Sequence, residues 1–332
     1  MQEPFSWRDL LKEMISDAEQ RERLAAETGV NVMTLNRWST GERAPRMSNR
    51  RSLLQALPFP QRDQFRKLYE QEFGPLSSPL NEEALGEIEY KFLMEVLETR
   101  SKTHELHRFW ALSHLVLQHA LRQLDPERLG MAIWVVRCMP PSSGNKIRSL
   151  LESVGQGTPP WESDLQRSAM FLGAESLAGY VVATCRPATI QDIASDTSFI
   201  PAHRTEYEAS AMATPLLYAN RVAGCLLISS TQTNYFLSPA RLSLVNGYTN
   251  LLALAFEPQE FYPPEQISLC VMPSLEVQRA FFATFRQRLQ TIMKESYSSA
   301  NPLTSVQGEQ LVWQQLEEEL SSLSATLESH RQ

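Results

Sequence analysis

No stretch of this chain approaches the ~18 consecutive apolar residues that a membrane-spanning helix requires. The N-terminus, MQEPFSWRDL, lacks the basic segment and following apolar run of a secretory signal. Cysteine is scarce. Cys138, Cys185, Cys225 and Cys270 lie far apart, form no CxxC pair and sit among apolar neighbours, which fits reduced, buried thiols in a reducing compartment. These absences point to a soluble, cytoplasmic protein with no membrane partner. The common catalytic signatures are missing too: no phosphate-binding glycine loop, no G-x-S-x-G, no H-E-x-x-H and no GxGxxG. Cys185 and His203 suit a nucleophile and base by type alone, and nothing in their spacing brings them together. Asp192 and Asp196 read as turn residues. His104 and His107 are three apart, but no cysteine or carboxylate cluster accompanies them, so no metal site is expected. The chain reads as a binding protein and not an enzyme, with no cofactor beyond an unidentified small-molecule effector.

What is present divides the chain. A length of 332 residues exceeds the roughly 150 typical of one domain and suggests two or three units. A hydrophobic content of 42% is enough for sizeable cores. The net charge of −7 is unevenly spread. Between Asn31 and Lys67, Arg37, Arg43, Arg46, Arg50, Arg51, Arg62, Arg66 and Lys67 face only Glu42 and Asp63, a local +6 that leaves −13 for the rest. A basic island on an acidic chain is the footprint expected of one DNA-contacting element.

From Ser6 to Glu72 the periodic stretches read as helix. Trp7, Leu10, Leu11 and Met14 form one stripe, and Arg21 to Thr28 a second short helix. Gly29 ends it and Asn31 caps the next, Val32 to Ser39, with Leu35 and Trp38 inward. Gly41 and Pro45 close that helix. The stretch RERLAAETGVNVMTLNRWSTGERAP resembles the helix-turn-helix of phage-repressor-like (Cro-type, XRE-type) regulators. The resemblance implies that Val32, Met33, Asn36 and Arg37 face base edges in the major groove of double-stranded DNA. It also implies that Asn31, Thr34, Arg43 and Arg46 hold phosphates. Val32 and Met33 stand where family members often carry Gln and a small polar residue. Direct readout then rests on Asn36 and Arg37, with the remainder from DNA shape.

FGPLSSPLNEE, from Phe73 to Glu83, has a linker's composition. Ile88 to Leu124 is a long amphipathic stretch that Lys102 and Thr103 interrupt. MAIWVVRCM is a β-branched run ended by Pro140 and Pro141, and Ile147 to Val154 is a candidate partner strand. Glu175 to Cys185 reads as helix, RPATIQDI as a short strand, and SAMATPLLYANRVAGCLLISS as a hairpin turning near Ala219 to Arg221. Pro239 to Phe256 is a further helix. The run LAGYVVATCRPATIQDI, the hairpin, Phe236 and the helix through LLALAF resemble the GAF domain, a small-molecule sensor and dimerisation module, over roughly residues 103 to 257. The resemblance implies a pocket at Tyr180, Ile190, Asp192, Phe199, His203, Tyr207, Ser210, Met212 and Thr214, and a homodimer. The residue sets that mark cyclic-nucleotide and bilin binders are not visible.

Beyond EPQEFYPPE, Ile267 to Met272 suggests one more strand and Leu275 to Met293 one amphipathic helix with Val277, Phe281, Phe282, Phe285 and Leu289 inward. Gln310 to Leu327 is a last helix with a leucine stripe, and Glu317 to Glu319 are expected on its wet side. The stripe fits a coiled-coil seam and packing on the same chain alike. The expected fold is multi-domain. An all-α helix-turn-helix bundle occupies residues 1–72, a linker 73–87, an α/β GAF-like domain with a mostly antiparallel sheet 88–257, and a helical extension 258–332. The expected function is sequence-specific transcription regulation, with a signalling adaptor binding proteins as the alternative.

Overall fold

The computed structural model describes residues 6–45, 47–73, 86–141, 143–166, 169–195, 207–296 and 302–329. The chain forms two compact units, one of residues 1–86 with 125–129, the other of 87–124 with 130–332.

The first unit is helical. Helices α1 (Trp7–Ser16), α2 (Ala18–Thr28), α3 (Val32–Ser39), α4 (Met47–Ala56) and α5 (Phe59–Phe73) surround one core. The starts of α1, α2 and α3 and the end of α2 have local causes. Ser6 accepts a hydrogen bond from the Asp9 amide, and Asp17 accepts from Glu19 and Gln20, so both side chains satisfy amides that a helix start leaves unpaired. Gly29 ends α2 at φ +67°, a conformation that costs glycine little. Asn31 Oδ1 accepts from the Thr34 amide at 2.8 Å and opens α3. The core gathers Trp7, Leu11, Leu24, Leu35, Trp38, Leu53, Leu54, Leu57, Phe65 and Tyr69. Trp7 Nε1 finds Glu72 at 2.8 Å, so its indole is buried without an orphaned donor.

The second unit opens with α6 (Tyr90–Lys102) and α7 (Glu105–Leu124). A six-stranded antiparallel sheet follows in the order β3-β2-β1-β6-β5-β4. Its strands are β1 (Met131–Cys138), β2 (Leu150–Gly157), β3 (Phe171–Leu172), β4 (Ala188–Ile190), β5 (Ser210–Tyr218) and β6 (Arg221–Ser230). Ala219 and Asn220 take positive φ at the two-residue β5–β6 turn, as a tight hairpin requires. Helix α8 (Leu177–Thr184) covers one face, packing Leu177, Val181 and Val182 on Trp134, Val136, Ala211, Ala213 and Cys225. The alternate residues Ile133, Val135, Met212 and Ile228 are buried on the other face, which carries α7 and α9 (Pro239–Ala253). Those helices meet where His119 Nδ1 lies 2.7 Å from Tyr248 Oη, with the imidazole stacked on Phe92. Glu257, just past α9, is paired with Arg100 of α6 and Arg108 of α7.

The C-terminal residues belong to this same compact unit. Residues 267–272 form no strand. Cys270 donates to the Arg148 carbonyl and accepts from the Ala174 amide, so the segment divides its bonds between two neighbours and builds no continuous ladder. The expected single helix from Leu275 is two, α10 (Leu275–Phe282) and α11 (Phe285–Ser296). Thr284 Oγ1 bonds back to the Phe281 carbonyl at 2.6 Å at the break, a local competitor to helix continuation. Phe282 and Phe285 then both reach Trp313 of α12 (Ser305–Ser329). Of the two uses open to the α12 stripe, packing on the same chain is the one adopted. Val312, Leu316 and Leu320 are fully buried against Met139, Leu151, Phe171 and Met272. Glu317 is not on the wet side: it is 1% exposed, and its Oε1 accepts from Ser149 Oγ at 2.6 Å. A stripe wider than its leucines carries the adjacent glutamate inward.

Candidate functional site

Two places gather the residues singled out by sequence. The first is α3. Its Leu35 and Trp38 are buried, and Met33, Asn36 and Arg37 are exposed, Met33 by 62%, with Val32 half-buried beside them. Asn31 and Thr34 are tied together, because Thr34 Oγ1 also donates to Asn31 Oδ1 at 2.8 Å. Arg37 Nε lies 3.7 Å from Glu42 with both side chains largely in solvent, a pairing too exposed to hold the guanidinium firmly. Arg43 is exposed, and Arg46 lies outside the described residues.

The second is a cavity of about 90 Å³ between α8 and the sheet. Trp134, Glu152, Trp161, Ser176, Ile190, Glu208, Ala211 and Ser229 are among its lining. Gly155 admits the Trp134 ring: a Cβ there would fall 2.3 Å from the indole. Glu152 stands on β2 and is buried, with Oε2 accepting from the Met170 amide at 3.1 Å. Burial pushes its carboxyl up to about 8, the Met170 bond opposing and the Glu208 carboxylate assisting. Glu208 accepts a hydrogen bond from Ser229 Oγ. The Tyr207 ring meets Trp161 edge to face at 6.4 Å.

Of the nine pocket residues expected from sequence, Ile190 lines this cavity and Tyr207 touches its Trp161. Tyr180 is 43% exposed on α8, and Asp192 caps a turn by accepting from the Ala194 amide at 3.1 Å. Ser210, Met212 and Thr214 alternate with the cavity-side Ala211 and Ala213, and so stand on the opposite face of β5. Ser210 Oγ donates to the Gln232 carbonyl, and Thr214 Oγ1 is buried with no partner. Phe199 and His203 lie outside the described residues. Sequence reasoning missed Trp134, Glu152, Trp161 and Glu208. Glu152 carried a signal, as the one charged residue in the strand LLESV.

Among the described residues, no helix is long and apolar enough to cross a membrane. The four cysteines are unpaired, with Cys138 and Cys225 buried and Cys185 and Cys270 partly so.

Residues 111–257 match the GAF domain family. No curated protein matches the chain. Among solved structures, a type II free methionine-R-sulfoxide reductase from Thermoplasma acidophilum is 16% identical, covering 47% of this chain and 98% of its own at TM-score 0.33. The GAF domain of an Acinetobacter phosphoenolpyruvate-protein phosphotransferase is 16% identical over 50% and 90%, at TM-score 0.32. The GAF domain region of a putative membrane protein from Geobacter sulfurreducens PCA is 17% identical over 45% and 95%, at TM-score 0.33. The expectation that this chain is no enzyme is corrected by these neighbours. They include free methionine-R-sulfoxide reductases, enzymes with a GAF-like fold, so the fold does not exclude catalysis; at such identity it does not establish it either. The sheet order, the flanking helices and the family match agree on one assignment: residues 111–257 are a GAF domain.

Proposed function

We propose that the chain is a sequence-specific DNA-binding transcription regulator whose GAF domain senses a small molecule. The observation that carries the first half is the surface of α3. A three-residue turn, Gly29 to Asn31, separates α2 from α3, and the helix buries Leu35 and Trp38 while presenting Met33, Asn36 and Arg37. That is the arrangement in which a short second helix enters a major groove with its N-terminal turn on base edges. The basic island from Arg37 to Lys67 supports it, since phosphate neutralisation supplies most of the sequence-independent affinity. The cavity beside α8 supports the sensing half, because it combines aromatic walls with a few polar groups. The reading includes a homodimer, as an operator of two half-sites needs two copies of α3.

Fluorescence anisotropy with labelled duplex, at low and moderate salt, tests the first half. Binding should weaken steeply with salt, and Arg37→Ala should lower affinity for the best site by roughly ten-fold, as expected for one base-directed side chain. Salt-insensitive binding with unchanged affinity in Arg37→Ala would remove α3 from the interface and favour an adaptor that binds an acidic protein.

A further inference from the structure

We propose that Asp125–Leu129, the loop joining α7 to β1, couples the cavity beside α8 to α3: the loop completes the core of the first unit, while both its ends are fixed in the second. The inference rests on the DNA-binding reading above and adds to it the route by which the second unit regulates that surface.

The chain leaves the second unit at Asp125 and returns to it at Gly130, inside the stretch 111–257 that matches the GAF domain. Asp125–Leu129 are part of the first unit, and specific contacts seat them there. Leu129 packs against the cluster that holds Leu53, Leu57, Phe65 and, from α3, Leu35 and Trp38. Arg62 of α5 donates from Nη1 to the Arg128 carbonyl at 3.1 Å, while its Nε and Nη2 reach the Leu57 carbonyl, just past α4, at 3.2 and 3.1 Å. One guanidinium thus joins the end of α4 to the loop. The loop is also shaped by its own bonds. Asp125 Oδ1 accepts from the Leu129 amide at 2.8 Å, and the Asp125 carbonyl accepts from the Arg128 amide at 3.0 Å. Arg128 stands at φ +52°, a conformation that costs a residue with a side chain and persists only where its surroundings impose it.

Both ends of the loop are pinned in the second unit. The Leu124 carbonyl, at the end of α7, accepts from Tyr235 Oη. At the start of β1 the Gly130 carbonyl accepts from the Thr231 amide at 3.1 Å, and the Met131 amide donates to Thr158 Oγ1 at 2.8 Å. Ala132 and Trp134, next along β1, line the cavity. From the cavity to α3 the path is covalent through Met131 and Gly130, then packed through Leu129 onto the cluster that holds Leu35 and Trp38. A loop pinned at both ends and bonded along its length has little slack to absorb a displacement of β1. Close-packed side chains pass such a displacement on.

The test uses the full chain and reads hydrogen exchange of the α3–α5 amides by mass spectrometry, with duplex anisotropy in parallel. Thr158→Val removes the acceptor of the Met131 amide, a change confined to the second unit. It should speed α3–α5 exchange and weaken duplex binding by about five-fold each, the lower end of typical coupling between sites. Leu129→Ala should speed that exchange by about ten-fold by itself, and Thr158→Val should add nothing further in its background. Leu316→Ala, in the same unit but packed on Met139, Leu151, Phe171 and Met272, should leave α3–α5 unchanged. Should Thr158→Val fail to fold, Tyr235→Phe releases the Leu124 carbonyl at the other end of the loop and carries the same expectation. An effect of Thr158→Val that stays within the second unit, or that survives undiminished in Leu129→Ala, would overturn the role of the loop. Transmitted exchange with unchanged duplex affinity would overturn regulation of α3. Failure of the wild type to bind duplex would instead remove the DNA-binding reading, and the coupling would stand or fall on the exchange result.

Discussion

Glu317→Gln tests the docking of the last helix most sharply. Glu317 lies on α12 among Val312, Leu316 and Leu320, and its Oε1 accepts from Ser149 Oγ while Oε2 has no hydrogen-bond partner. Burial raises its carboxyl to about 7, with the Ser149 bond and Arg148 opposing and Glu318 assisting. In the unfolded chain the same group titrates at its ordinary value of 4.5. Below that value both states are protonated and the folded state carries no charge cost. As pH rises towards 7 the unfolded chain ionises first, so stability falls across this window and levels above it. A difference of about 2.5 units corresponds to roughly 3 kcal/mol. Urea unfolding of the wild type and Glu317→Gln, compared at pH values on either side of the window, gives the difference directly. Glu152 titrates in both proteins and cancels. The variant should gain on the wild type by about 3 kcal/mol between the acid and neutral ends. A constant difference across the window would mean that Glu317 reaches solvent and that α12 does not lie where Leu316 and Leu320 place it.

Three further outcomes follow from the packing. Gly155→Ala should destabilise the second unit by about 1–3 kcal/mol and change the fluorescence of Trp134, since the new methyl meets the indole at 2.3 Å; an unchanged urea midpoint would contradict that contact. Leu316→Ala should cost about 2–5 kcal/mol in urea unfolding, and a loss under 1 kcal/mol would point to a loosely held α12. Gly29→Ala should cost about 1 kcal/mol through backbone conformation alone, because nothing lies within 4 Å of the added carbon. Hydrogen exchange concentrated at the α2–α3 junction would report it.

Local chemistry made much of the fold legible. Gly29 and Asn31 bound α3 by mechanisms that depend on a few adjacent residues, and the β5–β6 turn at Ala219 and Asn220 is equally local. The interruption at Thr103 separates α6 from α7 as its neighbours suggest. The pocket was less legible because β5 is buried on both faces from Ser210 to Leu216. A strand covered on both sides loses the alternation that tells one face from the other, so Ser210, Met212 and Thr214 were placed one residue out of phase with Ala211 and Ala213. Glu317 and the α10–α11 break were hidden for other reasons. The inward turn of Glu317 depends on Ser149, far along the chain, and the break depends on which way Thr284 turns its hydroxyl, since threonine is also tolerated inside helices. Ile267 to Met272 has the composition of a strand, but its partners at Arg148 and Ala174 lie on separate segments and give it no ladder.

The central claim is that α3 reads DNA. Repeated selection of the full chain on random duplexes, followed by sequencing at two salt concentrations, tests it most directly. The account predicts enrichment of a paired or palindromic motif that Arg37→Ala abolishes or relaxes at one position in each half-site. An unenriched pool, bound weakly and alike at both salt concentrations, would contradict it.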